Sequence, residues 1–184
     1  MKEGKGGALY NAFLKNLQWY YEKEKATLDI LEAVLYKQDT NLGRLRGIML
    51  EMVINLEDNI DEVLVSYFLF PLASEEIIAC FRKEILDNLG FDRKKHILSK
   101  IKEFSALKPD ITAIQDLRNN LAHKGKKRVL YKGYDIKSDK TIARQVAKDY
   151  IKIMGSLLDF IIKVNKHKAL VQVIRKESKN INNG

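Results

Sequence analysis

The chain has 184 residues, a formal net charge of +9 and 46% hydrophobic residues, values typical of a single globular domain spanning residues 1–184. Its single cysteine, Cys80, excludes an intrachain disulfide and a thiolate metal cluster, and the apolar residues before it predict a buried side chain. The N-terminus lacks the hydrophobic core of a signal peptide, and the longest apolar run, at about residues 63–73, is too short to span a bilayer. We therefore expect a cytoplasmic protein with no membrane segment.

Positive charge is concentrated in the C-terminal half of the chain. Residues 51–90 carry two basic and nine acidic side chains, a balance of −7. Residues 111–150 carry ten basic and four acidic side chains, or +6, and residues 151–184 carry seven and two, or +5. This distribution favours a polyanion such as a nucleic acid as a partner of the C-terminal half. A solvated, lysine-rich surface is the alternative interpretation.

Helical periodicity dominates the chain and predicts an all-α bundle of about five or six helices. The third helix is expected to begin at Ser74, because this residue can cap a first turn that carries Glu75 and Glu76. Residues 1–7 and 176–184 are expected to be disordered. The predicted helices run from about residue 8 to 37, from the turn at 39–41 to Pro71, from Ser74 to Gly90, from Asp92 to Phe104, from Pro109 to about His123, and from residues 138–141 onward.

A basic segment at about 124–137 interrupts the helical pattern. Lys132-Gly133 separates two short β-prone runs, which predicts an extended loop or a small hairpin. Tyr131 and Tyr134 alternate with the lysines, so that the segment is expected to bind an RNA backbone and to stack on a base. A solvated loop with its tyrosines packed on the bundle is the alternative. The predicted RNA-binding residues are Lys124, Lys126, Lys127 and Arg128.

Arg118 is unusual because it lies on the apolar side of its predicted helix. On a helical wheel it falls between Ile111 and Ile114. A guanidinium in such a place needs a carboxylate, a subunit interface or an anionic ligand, because an unpaired buried charge is costly. Glu51 and Asn55, from a polar stripe on the second helix, are candidate partners, although such a stripe is more often a solvent-exposed face.

His123 follows Arg118 by five residues, near the predicted end of the same helix. An RNA-cleaving site needs a proton-transfer group with a near-neutral pKa and a fixed positive charge at the phosphate, which histidine and arginine supply. The segment Arg118-Asn-Asn-Leu-Ala-His123 resembles the Arg-x4–6-His motif of HEPN domains (higher eukaryotes and prokaryotes nucleotide-binding). In these domains a polar residue often follows the arginine, as Asn119 does here.

The resemblance implies a helical bundle that forms a homodimer, with a composite, metal-independent endoribonuclease site and no cofactor. It implies attack of a ribose 2′-OH on the adjacent phosphate, which leaves a 2′,3′-cyclic phosphate and a 5′-OH. His123 would transfer protons, Arg118 would hold the pentacoordinate phosphate, and Asn119 would orient His123 or the substrate. Active members of the family occur in phage defence and toxin–antitoxin systems, so the expected partners are RNA, a second copy and an antitoxin or other defence protein.

Two other interpretations remain open at this point. The chain could be a non-catalytic HEPN module that binds RNA or a partner protein. In a purely structural interpretation, Arg118 forms an internal ion pair and His123 caps the end of its helix. His96 and His167 lie in basic stretches and are predicted to face solvent, without metal-ligand spacing around them.

Overall fold

The computed structural model describes residues 42–69, 73–122, 129–136 and 140–182. These residues form five α-helices and one short β-hairpin, which confirms the predicted all-α bundle with a hairpin. The helix predicted over residues 8–37 lies outside the described residues. The five helices are α1 (Leu42–Leu69), α2 (Glu75–Glu84), α3 (Phe91–Leu98), α4 (Lys108–Ala122) and α5 (Lys140–Asn182).

The core lies between α1, α4 and α5, because α1 packs along both of the other helices. Their apolar residues recur every three or four positions, so each helix buries one continuous stripe. Burial of each such side chain contributes roughly 1.5–3 kcal/mol. Tyr67 lies at helical spacing from the buried Val63 but is 49% exposed near the end of α1. The core includes Met49, Met52, Leu56, Ile60, Ile111, Ile114, Leu117, Leu121, Val146, Tyr150, Ile153 and Leu157.

The short helix α2 is attached to the bundle by one edge. Ser74 caps it as predicted, since its hydroxyl accepts the backbone N–H of Ile77 at 3.4 Å. The helix ends at Glu84, whereas the sequence predicts an end at Gly90, which is instead the N-cap of α3. No residue of α2 is buried and Cys80 is exposed, so the prediction of a buried thiol is wrong. The apolar stripe of α2 touches the core only through partly buried side chains.

The hairpin forms where the sequence predicts it. Strands β1 (Leu130–Tyr131) and β2 (Tyr134–Asp135) pair antiparallel. Lys132 has φ +48° and Gly133 has φ +87°, the positive angles at both central residues that a type I′ turn requires. The glycine adopts this backbone without a steric cost, so Lys132-Gly133 fixes the hairpin register.

Helix α5 is 43 residues long and begins at Lys140, within the predicted start at 138–141. It continues to Asn182, through most of the segment 176–184 for which the sequence predicts disorder. The difference arises because apolar residues recur at helical spacing as far as Ile181, which favours a continued helix. Across the described residues, we find no helix with the length and apolarity needed to cross a membrane.

Candidate active site

Arg118 lies on the partly buried side of α4, as the helical wheel predicts. Its neighbours Ile114, Leu117 and Leu121 are buried in the core. The Nη1 group of Arg118 donates a hydrogen bond to Oδ1 of Asn119 at 2.8 Å. The Nε group is buried and has no hydrogen-bond partner among the described residues. The hydrogen bond to Asn119 therefore orients the guanidinium, while its Nε–H donor has no acceptor among the described residues.

The carboxylate partner that the sequence suggests for Arg118 is not found in the described part of the chain. No described carboxylate oxygen lies within 4.0 Å of the guanidinium. Glu51 is exposed, and the backbone carbonyl of Asn55 accepts Nδ2 of Asn59 at 2.8 Å. The polar stripe of α1 is thus mainly a solvent-exposed face, and neither Glu51 nor Asn55 pairs with Arg118. Glu62, one turn or more further along the same face of α1, pairs with Arg82 at 2.6 Å.

A second arginine, Arg46, reaches the C-terminal end of α4. Its Nε donates to the backbone carbonyl of Leu121, in the last turn of the helix. The last four carbonyls of a helix have no intrahelical partner and carry partial negative charge, so a cation is favourable there. Leu121 is three residues after Arg118, so Arg46 contacts α4 within about one turn of Arg118 along the helix.

Sequence reasoning missed Arg46, although a signal was present. Arg46 precedes Met49 by three residues and Val53 by seven, so it lies on the continuation of the buried stripe of α1. It therefore repeats, on a second helix, the pattern that singled out Arg118. Its partner, the Leu121 carbonyl, is 75 residues away in the chain.

His123 lies outside the described residues, as do the predicted RNA-binding residues. Helix α4 is described as far as Ala122, so the motif histidine directly follows its last described residue. The described part of the candidate site consists of Arg118, Asn119 and Arg46. The predicted residues outside it are His123, Lys124, Lys126, Lys127 and Arg128.

An ionic network of two buried carboxylates and two partly exposed lysines fastens the hairpin to α4 and α5. Nζ of Lys132 lies 2.7 Å from Oδ1 of Asp110 and 2.7 Å from Oδ2 of Asp149. Lys152 donates to Oδ2 of Asp110 at 2.9 Å, and the hydroxyl of Tyr131 donates to Oδ2 of Asp149 at 2.8 Å. Because Lys132 is engaged with two carboxylates, it anchors the hairpin within its own chain.

The same network changes the expected role of one tyrosine. Tyr131 is 1% exposed, so the prediction that a base stacks on it is wrong, whereas Tyr134 is 65% exposed. Burial and the hydrogen bond to Asp149 raise the pKa of the Tyr131 phenol, which stays protonated. Burial raises the pKa of Asp110, but hydrogen bonds from Lys132 and Lys152 outweigh it and hold that pKa below its usual value.

A separate buried lysine joins α3 to α1. Nζ of Lys94 lies 2.9 Å from Glu57 and 2.7 Å from Asp61, and only 5% of its side chain is exposed. Burial raises the pKa of Asp61, and the hydrogen bond from Lys94 opposes this effect only in part. His96 and His167 are exposed, as predicted. In the part of the chain that the structure describes, no three His, Cys, Asp or Glu side chains are grouped as metal ligands.

No protein-family model, curated protein or solved structure matches this chain. The functional interpretation therefore depends on the chemistry of Arg118 on α4 and of Arg46, which reaches the end of α4 from α1.

Proposed function

We propose that the protein is a HEPN-type, metal-independent endoribonuclease that acts in phage defence or in a toxin–antitoxin system. The observation that carries the proposal is the Arg118 guanidinium. It is partly buried, has no described carboxylate partner, and belongs to the helix that leads into His123. A cation with unused donors suits a phosphate group, two oxygens of which can accept two parallel hydrogen bonds from one guanidinium.

The proposed reaction is attack of a ribose 2′-OH on the adjacent phosphorus, with departure of the 5′-oxygen of the next nucleotide. One proton leaves the 2′-OH and one is given to the leaving oxygen, and His123 carries out one of these transfers. Arg118 stabilises the negative charge that develops on the pentacoordinate phosphate. Asn119 holds the Arg118 guanidinium through its Oδ1, which supports a role in orienting the arginine.

The first test replaces His123 by alanine and measures cleavage of RNA in the presence of EDTA. We expect the wild-type protein to leave 2′,3′-cyclic phosphate ends, and His123→Ala to cleave about a hundredfold more slowly, because a positioned acid or base contributes at least that much. The matched control is His96→Ala, since His96 is exposed and also lies in a basic stretch. Equal rates for His123→Ala and His96→Ala would remove His123 from the mechanism.

A homodimer is part of the proposal, and α1 carries an apolar surface suited to it. Leu50 and Ile54 are 47% and 49% exposed, one and two turns after Arg46. Exposed apolar side chains that adjoin a site are typical of a surface that a second subunit covers. The second copy would bring its own Arg118 and His123 to the first, so that two motifs share one RNA.

The dimer test replaces Leu50 by glutamate. We expect the protein to become monomeric and its cleavage rate to fall at least about tenfold, because a charge in an apolar interface is left without a partner. Light scattering after size-exclusion chromatography measures the mass. The control is Ile77→Glu on α2, which is 53% exposed and distant in sequence from the motif. A dimeric, fully active Leu50→Glu variant would show that this face of α1 is not the interface.

A second candidate function is RNA binding without cleavage. The exposed ring of Tyr134, within the basic segment, favours it, because stacking and backbone contacts need no catalytic histidine. The purified protein would then retard RNA on a gel and leave no cyclic-phosphate ends. A partner such as an antitoxin would bind the same module.

A further inference from the structure

We propose that Arg46 is a second phosphate-binding residue and that it acts with Arg118 on the backbone of the same RNA. This inference rests on the proposed function, since it assigns a further residue to that site. The two arginines come from different helices, α1 and α4. The hydrogen bond from Arg46 to the Leu121 carbonyl brings its guanidinium to the last turn of α4.

The remaining donors of Arg46 point to a ligand. A guanidinium has five N–H donors, and Arg46 uses its Nε on the Leu121 carbonyl. Among the described residues, its two Nη groups have no acceptor, and no carboxylate lies within 4.0 Å of them. Arg118 is similar, because its Nε is buried without a partner.

Several other cations of the described residues are neutralised within the chain. Lys94, Lys132 and Arg82 each lie within 3.0 Å of at least one carboxylate oxygen. The end of α4 thus holds two guanidinium groups whose charge no described carboxylate neutralises. A phosphodiester supplies the missing negative charge and several acceptor oxygens.

Arg46 also offsets the partial negative charge at the C-terminal end of α4. The C-terminal end of a helix carries partial negative charge, which repels a phosphate. A guanidinium bonded to one of the last carbonyls offsets that charge. Arg118 is then able to bind the phosphate next to a helix end that would otherwise oppose it.

The test measures binding of a fluorescent RNA oligonucleotide in which every ribose is 2′-O-methylated, so that it cannot be cleaved. For Arg46→Gln we expect affinity about fivefold to tenfold below wild type. The slope of log affinity against log salt should become shallower by about 0.7, the value for one phosphate contact on a single strand. Arg46→Lys keeps the charge and should retain the wild-type slope. The control is Arg93→Gln, an exposed arginine on α3.

The binding and cleavage results test the role of Arg46 and the proposed ribonuclease activity separately. If Arg46→Gln binds with the affinity and slope of Arg93→Gln, Arg46 only caps α4 and the inference is wrong, whatever the cleavage assay shows. If binding depends on Arg46 but unmodified RNA stays intact, the inference stands and the proposed cleavage fails. If Arg46→Gln does not fold, a shallower slope for Arg46→Lys would also contradict the inference. If the wild-type protein does not bind the oligonucleotide, both proposals are overturned.

Discussion

Replacement of Arg118 by alanine is expected to reduce RNA cleavage about a thousandfold, the loss typical of removing a principal charge-stabilising group from a transition state. The same change should not destabilise the fold. The Nε of Arg118 is buried without a described acceptor, and an unsatisfied buried donor costs about 1–3 kcal/mol. We therefore expect the free energy of unfolding of Arg118→Ala in urea to equal or exceed that of the wild type.

Two further variants separate charge from geometry. Arg118→Lys keeps the positive charge and loses the planar fork, so its rate should lie between those of wild type and Arg118→Ala. Arg93→Ala on α3 removes an exposed arginine and should leave the rate unchanged. If Arg118→Ala cleaves normally and loses more than about 2 kcal/mol of stability, Arg118 has a structural role and the ribonuclease proposal fails.

Periodicity predicts the long helices of this protein well because each one buries a wide stripe. Helices α1, α4 and α5 begin close to the expected residues, and each contributes a stripe of buried apolar residues to the core. The hairpin is predicted equally well, since Gly133 readily takes the positive φ of a two-residue turn between β-prone runs, although Lys132, at φ +48°, takes an angle that lysine seldom adopts. The position of Arg118 on α4 follows from the same wheel that identifies the buried residues.

Contacts between distant parts of the chain are not encoded in a local pattern. The bond from Arg46 to Leu121 depends on how α1 packs against α4, and no periodicity gives that orientation. Cys80 illustrates the same limit, because an amphipathic stripe shows which side of α2 is apolar and does not show whether another element covers it. Tyr131 was expected to face RNA, yet the hairpin folds back so that its hydroxyl reaches Asp149.

Replacement of Asp110 by asparagine is expected to lower the free energy of unfolding by about 2 kcal/mol at neutral pH. Asp110 is 8% exposed and accepts hydrogen bonds from Lys132 and Lys152. Breaking a fully buried ion pair costs about 3–5 kcal/mol. We expect less here because the Lys132 and Lys152 side chains are 36% and 57% exposed to screening solvent, and because Lys132 keeps its bond to Asp149. Asp110 also lies in the first turn of α4, where the helix dipole favours a negative charge. Urea denaturation measures the loss.

The pH dependence of this loss distinguishes an ionic role from a packing role. The folded pKa of Asp110 lies below its unfolded value, because the hydrogen bonds from both lysines outweigh the effect of burial. The carboxylate therefore contributes its full stability above the usual aspartate pKa of about 3.9, and loses it as the pH falls through the folded pKa. The difference in free energy of unfolding between wild type and Asp110→Asn should be constant from neutral pH to about pH 5. It should become smaller below about pH 4.

The matched control is Asp116→Asn, because Asp116 is exposed on the same helix and should change stability by less than about 0.5 kcal/mol. If Asp110→Asn remains equally less stable than the wild type in acid, the amide disturbs packing and the ion pairs contribute little to the free energy of unfolding. A difference that narrows as the carboxylate is protonated would show that Asp110 anchors the hairpin through its charge.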